Sequence, residues 1–226
     1  MSERTTSNWN VPNILTCIRI VLVPVMVVLL FLGPTDPTMR IAATAVFAVA
    51  MITDFLDGTI ARRYDLITDF GKLWDPIADK ALTGAAFISL SILTHPSGQP
   101  ELPWVFTVII LLREWGITLL RDRLKRRGII MAANKGGKAK TVTQTAALLL
   151  FLLNLHALPG WLQVVAWVLM WAALILTVVT GVDYLRLARR ATREQADAPT
   201  GERAVSGDAA TDASPDGARP RRAIEE

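Results

Sequence analysis

The feature that most limits what this chain can become is a series of apolar runs long enough to cross a bilayer. A spanning helix needs roughly 20 mostly apolar residues, and in hydrocarbon only a helix or a closed barrel satisfies the backbone polar groups. Such runs fall at about 14–33, 41–60, 76–94, 103–120, 141–157 and 161–184. The predicted fold is therefore all-α, a polytopic membrane protein with six transmembrane helices. Composition agrees: 52% of the 226 residues are hydrophobic and only 19% charged, too apolar for an ordinary water-soluble domain. The first run has Arg4 and Arg19 near its start, as a secretory signal would, but GPTDPT offers no small-residue cleavage site and five more runs follow. It is expected to stay as an anchor.

Lysine and arginine set the orientation. The connections near 34–40, 95–102 and 158–160 carry only Arg40, whereas those near 61–74 and 121–140 are rich in both, and the last run ends in YLRLARRATR. Both termini, and the acidic residues that follow the second run, are thus expected at the cytoplasmic face of the cell membrane. RDRLKRRGIIMAANKGGKAK suits an anionic leaflet or a phosphorylated substrate. Residues 1–12 read as an interfacial segment held through Trp9, 13–186 as the helical domain, and 187–226 as a disordered cytoplasmic tail with little to bury. The one cysteine, Cys17, excludes an intramolecular disulfide and a cysteine-cluster metal site.

With no soluble catalytic domain left, chemistry has to sit among the helices. DFLDGTIARR follows the second run directly, and DPIADK opens the third. Asp54, Asp57, Gly58 and Ala61 are three and four apart, hence on one side of a helix; Gly71, Asp75 and Asp79 repeat every four. Pro76 fits a first helical turn, with a longer, kinked helix starting before Gly71 equally compatible. Four carboxylates converging at a poorly hydrated site would repel, and some would protonate unless cations were present. Oxygen-only ligation points to a hard divalent ion, Mg²⁺ or Mn²⁺, and two ions can stabilise the entering and leaving oxygens of a displacement. Zinc is disfavoured, because His95 and His156 belong to the opposite membrane face. A structural salt-bridge network with Arg62, Arg63 and Lys80 explains less, since the acids outnumber those bases.

Asp54, Asp57, Gly58, Ala61, Arg62, Gly71, Asp75 and Asp79 stand at the intervals of the CDP-alcohol phosphatidyltransferase motif, and the chain from about residue 10 to 185 resembles that family in its six-helix hydropathy. The resemblance implies a membrane enzyme that moves a phosphatidyl-type group from a CDP-linked lipid to an alcohol and releases CMP. It also implies a homodimer. The segments NVPNILTCIRIVLVP, LREWGITLLR and GGKAKTVTQ are similar to those family members that use CDP-diacylglycerol and sn-glycerol 3-phosphate. By position, the resemblance gives metal binding to Asp54, Asp57, Asp75 and Asp79, donor-nucleotide contacts to Arg62 and Thr68, and the role of general base to Asp79. Gly58 lets the cytidine diphosphate approach the backbone, which the lack of a Cβ permits, with a helix-packing glycine as the lesser alternative.

Asn13 and Thr16, with Arg19, are placed either to reach the same nucleotide or to cap a helix and snorkel to headgroups. The acceptor's phosphate calls for cations, and Arg113 with Arg121, eight apart on the fourth helix, and Lys135 with Lys138, entering the fifth, are the candidates; Lys140 follows them. Arg113 is the notable one, lying within a span beside Glu114, to which it could pair, though sequence neighbours point apart on a helix. Lys125, Arg126 and Arg127 read as positive-inside charges. Phosphatidylglycerol, inositol phosphate and serine remain as other acceptors within the family. A six-helix transporter or Mg²⁺ channel would place acids through the spans rather than at one face. The basic loop lacks the aromatic interleaving of a nucleic-acid site.

Overall fold

The computed structural model describes residues 11–64, 69–95, 98–126 and 136–197, with the side chains of 11–13, 57–64, 69–73, 75–76, 136–138 and 194–197 left out of the description. These residues form six α-helices: α1 (Val11–Leu32), α2 (Pro37–Tyr64), α3 (Asp69–Ile92), α4 (Trp104–Arg126), α5 (Gly136–Leu152) and α6 (Gly160–Asp197), with a 3-10 turn at Leu155–Ala157. The all-helical expectation holds. Among the described residues, α1 (Ile14–Leu32), α2 (Pro37–Leu56) and α6 (Gly160–Arg193) are long and apolar enough to cross a membrane, while α5 offers the shorter stretch Ala139–Leu152. Charge separates the rest from them: α4 carries Arg113 and Glu114 midway, and α3 begins in DFGKLWDPIADK.

The turns follow from local chemistry. Gly33 closes α1 where a Cβ would stand 2.6 Å from Met39 Cγ, so only glycine lets α2 start this close. Asp36 then caps α2, its carboxylate accepting the Thr38 N–H at 2.8 Å, and Pro37 occupies the first helical position, where a missing N–H costs nothing. At the end of α5, Asn154 takes a left-handed conformation (φ 65°) and the chain passes into the 3-10 turn. The expected fifth helix, to 157, therefore stops at Leu152. α3 starts before Gly71, so the longer of its two compatible forms is the one adopted. α6 runs on to Asp197, into the segment expected to be disordered from residue 187, because RLARRATREQAD is composed largely of strong helix formers.

α1 packs on α2 and α3, α5 on α6, and α4 on α6 and α3. The interface is apolar and close, with Met26, Leu30, Phe47, Leu82, Phe87, Leu90, Leu148 and Phe151 fully buried. Phe106 meets Trp171 edge-on at 4.9 Å, and Phe151 meets Trp167 at 5.1 Å. The outside is apolar too, as in Leu32, Leu112 and Val168, which suits lipid rather than water around the bundle.

All the lysine-poor connections lie at one end. There Arg40, fully buried, donates through Nη1 and Nη2 to the two Glu101 carboxylate oxygens at 3.1 and 2.6 Å, and through Nη2 to Phe151 O at 2.8 Å. The His95 and His156 rings stack at 3.8 Å between centroids at the same end. The aspartate-bearing segments of α2 and α3 are at the other.

Candidate functional site

Antiparallel packing brings the C-terminal part of α2 and the N-terminal part of α3 to one end of the bundle, with the start of α1, the later part of α4, the start of α5 and the later part of α6 around them. The first functional contact is between α1 and α2. Arg19, fully buried, places Nη1 2.6 Å from Asp54 Oδ1, and Asp54 stays about one-third exposed. A guanidinium so far from water requires an anion, and Asp54 supplies it. Arg19 thus pairs with Asp54 inside the bundle rather than snorkelling outward. Thr16, one turn earlier, is likewise fully buried.

Asp79 is the second described carboxylate, partly buried one helix away. The charged groups whose fields reach it are Asp54, Glu114, Arg19 and Lys80. The structure therefore gathers α1, α2, α3 and α4 around one acidic centre. The side chains of Asp57, Gly58, Arg62 and Asp75 lie outside the described residues, as does all of Thr68; so does the Asn13 side chain. Among the described residues no three His, Cys, Asp or Glu side chains converge as metal ligands. Asp54 and Asp79 are hard oxygen donors on facing helices, the chemistry a divalent hard cation takes.

Three consecutive residues of α4 engage three different helices. Arg113 turns to α6, donating from Nε to Thr177 O at 3.1 Å and from Nη2 to Thr180 Oγ1 at 2.8 Å. Gly181 makes room for it, since a Cβ there would come within 3.1 Å of Arg113 Cγ. Glu114 turns to α5, accepting from Lys140 Nζ at 2.6 Å. Trp115 turns to α3, with Lys80 Nζ 5.5 Å from its ring centroid. Arg113 and Glu114 thus point apart, and each has its own partner. Arg121, two turns on, lies with its guanidinium carbon 5.8 Å from the Tyr184 ring on α6. Lys135 is outside the described residues, and of Lys138 only the backbone, in the first turn of α5, is described.

Sequence reasoning placed Glu114 only as a neighbour of Arg113 and did not reach Gln144 or Tyr184. Gln144 Oε1 and Tyr184 Oη are buried polar atoms with no hydrogen-bond partner among the described residues, on the faces of α5 and α6 that also carry Lys140 and Thr180. Their signal was the i, i+4 step from Lys140 to Gln144 and from Thr180 to Tyr184, polar residues recurring along otherwise apolar helices.

Comparison with known proteins gives the same site a lineage. The family model for CDP-alcohol phosphatidyltransferase matches residues 9–179. A Mycobacterium tuberculosis (strain ATCC 25618 / H37Rv) protein named "Probable phosphatidylglycerophosphate synthase" is 50% identical over 182 residues, 80% of this chain and 82% of that protein. Two proteins named "CDP-diacylglycerol--glycerol-3-phosphate 3-phosphatidyltransferase" are similar as well. The one from Rickettsia bellii (strain RML369-C) is 35% identical over 182 residues, covering 80% of this chain and 96% of its own length. The one from Bacillus subtilis (strain 168) is 36% identical over 191 residues, covering 78% and 93%.

Proposed function

Because this chain belongs to the CDP-alcohol phosphatidyltransferase family, we propose that it transfers the phosphatidyl group of CDP-diacylglycerol to sn-glycerol 3-phosphate, giving phosphatidylglycerophosphate and CMP in phospholipid synthesis. The relatives carrying that activity in their names align with about four-fifths of the chain, and the aspartates fall inside the matched region. The single structural observation that supports the reading is the convergence of Arg19, Asp54, Asp79 and Glu114 from four helices on one end of the bundle.

The reaction is a displacement at the phosphorus that bears the diacylglycerol. The acceptor hydroxyl oxygen forms the new P–O bond, the bond to the CMP oxygen breaks, and the hydroxyl proton passes to a base. Asp79 is assigned as that base, a reading supported by its partial burial and by the field of Asp54 that reaches it. Arg19 holds Asp54 through Oδ1 at the α1–α2 side of the site. Asp54, Asp57, Asp75 and Asp79 would hold Mg²⁺ or Mn²⁺, two ions in all; when bound, these supply charge stabilisation to the donor diphosphate and to the entering and leaving oxygens. Asn13, Thr16, Gly58, Arg62 and Thr68 are assigned to the cytidine nucleotide.

The acceptor phosphate is assigned to Arg113, Arg121, Lys135 and Lys138. Arg113 gives two of its five N–H groups to α6, which locks the guanidinium and leaves the others for an anion. Gln144 Oε1 and Tyr184 Oη, polar and buried, offer further contacts to a small polyhydroxy acceptor. In the membrane, six spans with both termini and the site at the cytoplasmic face agree with the distribution of lysine and arginine. The working unit is assigned as a homodimer of the domain at 13–186.

An acceptor panel tests the reading. Purified enzyme with CDP-diacylglycerol and Mg²⁺ should release CMP fastest with sn-glycerol 3-phosphate; faster turnover of phosphatidylglycerol, inositol phosphate or serine would keep the family and reject this acceptor.

A further inference from the structure

At the same end of the bundle, but on α4 and α6 beyond the acidic centre, a cavity of about 480 Å³ lies between the two helices. Its lining includes Leu120 and Leu124 from α4 and Leu185, Ala188, Arg189 and Arg193 from α6. These α6 positions step by three and four, so one face of the helix supplies them all. The floor is apolar and withdrawn, with Leu124 and Ala188 each 5% exposed, while Leu185, Arg189 and Arg193 are exposed. None of these residues serves the transferase site described above.

An apolar floor rimmed by two guanidinium groups, at the end of a helix apolar enough to span a membrane, has the chemistry of a single amphiphile: acyl chain against the leucines, phosphate against the arginines. Charge complementarity favours an anionic headgroup strongly, because the neighbouring turns add Arg123, Lys125 and Arg126 on α4 and Arg186 and Arg190 on α6, against Asp122 and Asp183. The volume lies within the range of small-molecule sites.

We infer that the groove between α4 and α6 is a binding site for an anionic phospholipid, held through Arg189 and Arg193 and separate from the donor and acceptor positions. An enzyme whose proposed product is an anionic lipid would thereby sense the charge of the leaflet it is building. The lipid is recognised by phosphate and chain together, so free phosphate alone does not fill the site.

Native mass spectrometry of the full chain in detergent micelles tests this with phosphatidylserine, which is neither donor nor acceptor in the proposed reaction, phosphatidylcholine as the net-neutral comparison, and inorganic phosphate as competitor. Phosphatidylserine should bind in preference to phosphatidylcholine, survive excess phosphate, and bind about thirtyfold more weakly to the double variant R189Q/R193Q. The variant R186Q/R190Q removes the same charge from the same helix outside the groove and should weaken binding by no more than about threefold. Equal loss in both double variants would reassign the effect to diffuse surface charge and overturn the site. So would equal binding of the two lipids, displacement by phosphate, or a gain in lipid binding on deleting residues 198–226, which would make the acidic tail the occupant. Since no arm reads CMP release, failure here leaves the proposed reaction untouched.

Discussion

Replacing Arg40 by Met should separate stability from catalysis, because the Arg40–Glu101 pair is at the opposite end of the bundle from the aspartates. Arg40 is fully buried and Glu101 nearly so, and the guanidinium makes three hydrogen bonds, two to Glu101 and one to Phe151 O. Removing the cation leaves a carboxylate and a carbonyl buried without it, a loss of about 3–5 kcal/mol for a buried pair broken on one side. Neither partner is exposed enough for water to take over the role, so no discount for solvent applies. For a chain of this size each kcal/mol lowers Tm by about 2–4 °C, which puts the expected fall at roughly 6–20 °C. Thermal unfolding in micelles, followed by loss of helix signal, measures it. CMP release assayed well below the new Tm should stay near wild type. The double variant R40M/E101L should recover most of the loss, since two apolar groups replace the pair. An unchanged Tm in R40M would refute the reasoning on burial. A large loss of turnover in folded R40M would show that the far end controls the site.

Asp79→Asn should keep binding CDP-diacylglycerol while turnover falls by on the order of 10² to 10⁴, or more if a metal ligand is lost with the base; near-normal turnover would move the base elsewhere. Treatment with EDTA should abolish CMP release and either Mg²⁺ or Mn²⁺ should restore it, whereas full activity in a demonstrably metal-free preparation would sink the metal site. Lys138→Gln should raise the KM for sn-glycerol 3-phosphate about tenfold to a hundredfold without changing that for CDP-diacylglycerol, and equal effects on both would remove Lys138 from the acceptor site. Gly181→Ala places a methyl within 3.1 Å of Arg113 Cγ and should disturb the Arg113–Thr180 bond, seen as a raised acceptor KM; an unaltered KM would mean that Arg113 holds no phosphate.

Local periodicity made the helices and the acidic motif readable, because both are properties of residues a few positions apart. Asp54 and Asp79 fall where their spacing placed them, on facing helices at one end. What escaped was set by distant partners. Arg40 looked like an ordinary loop charge, and its acid is 61 residues away; Glu114 looked like a partner for Arg113, and its cation is 26 residues away. A pair of that kind depends on which helices meet, which no local pattern states. Helix ends failed for a different reason. Asn154 stops α5 early through a left-handed backbone, and the polar segment after residue 187 stays helical to Asp197 through strong helix formers, with buried Ala188 rather than a long apolar stripe on its inner face.

The consecutive contacts of Arg113, Glu114 and Trp115 make α4 behave like a key with three adjacent teeth. A helix turns about 100° per residue, so inserting or deleting one residue within α4 before Arg113 would rotate all three teeth away from their locks together. Arg113 would leave the Thr177–Thr180 seat on α6, Glu114 would abandon Lys140 on α5, and Trp115 would no longer face Lys80 on α3. Changes of chain length should therefore be tolerated outside α4 rather than within it, because a residue added beyond its ends leaves the rotation of the helix intact.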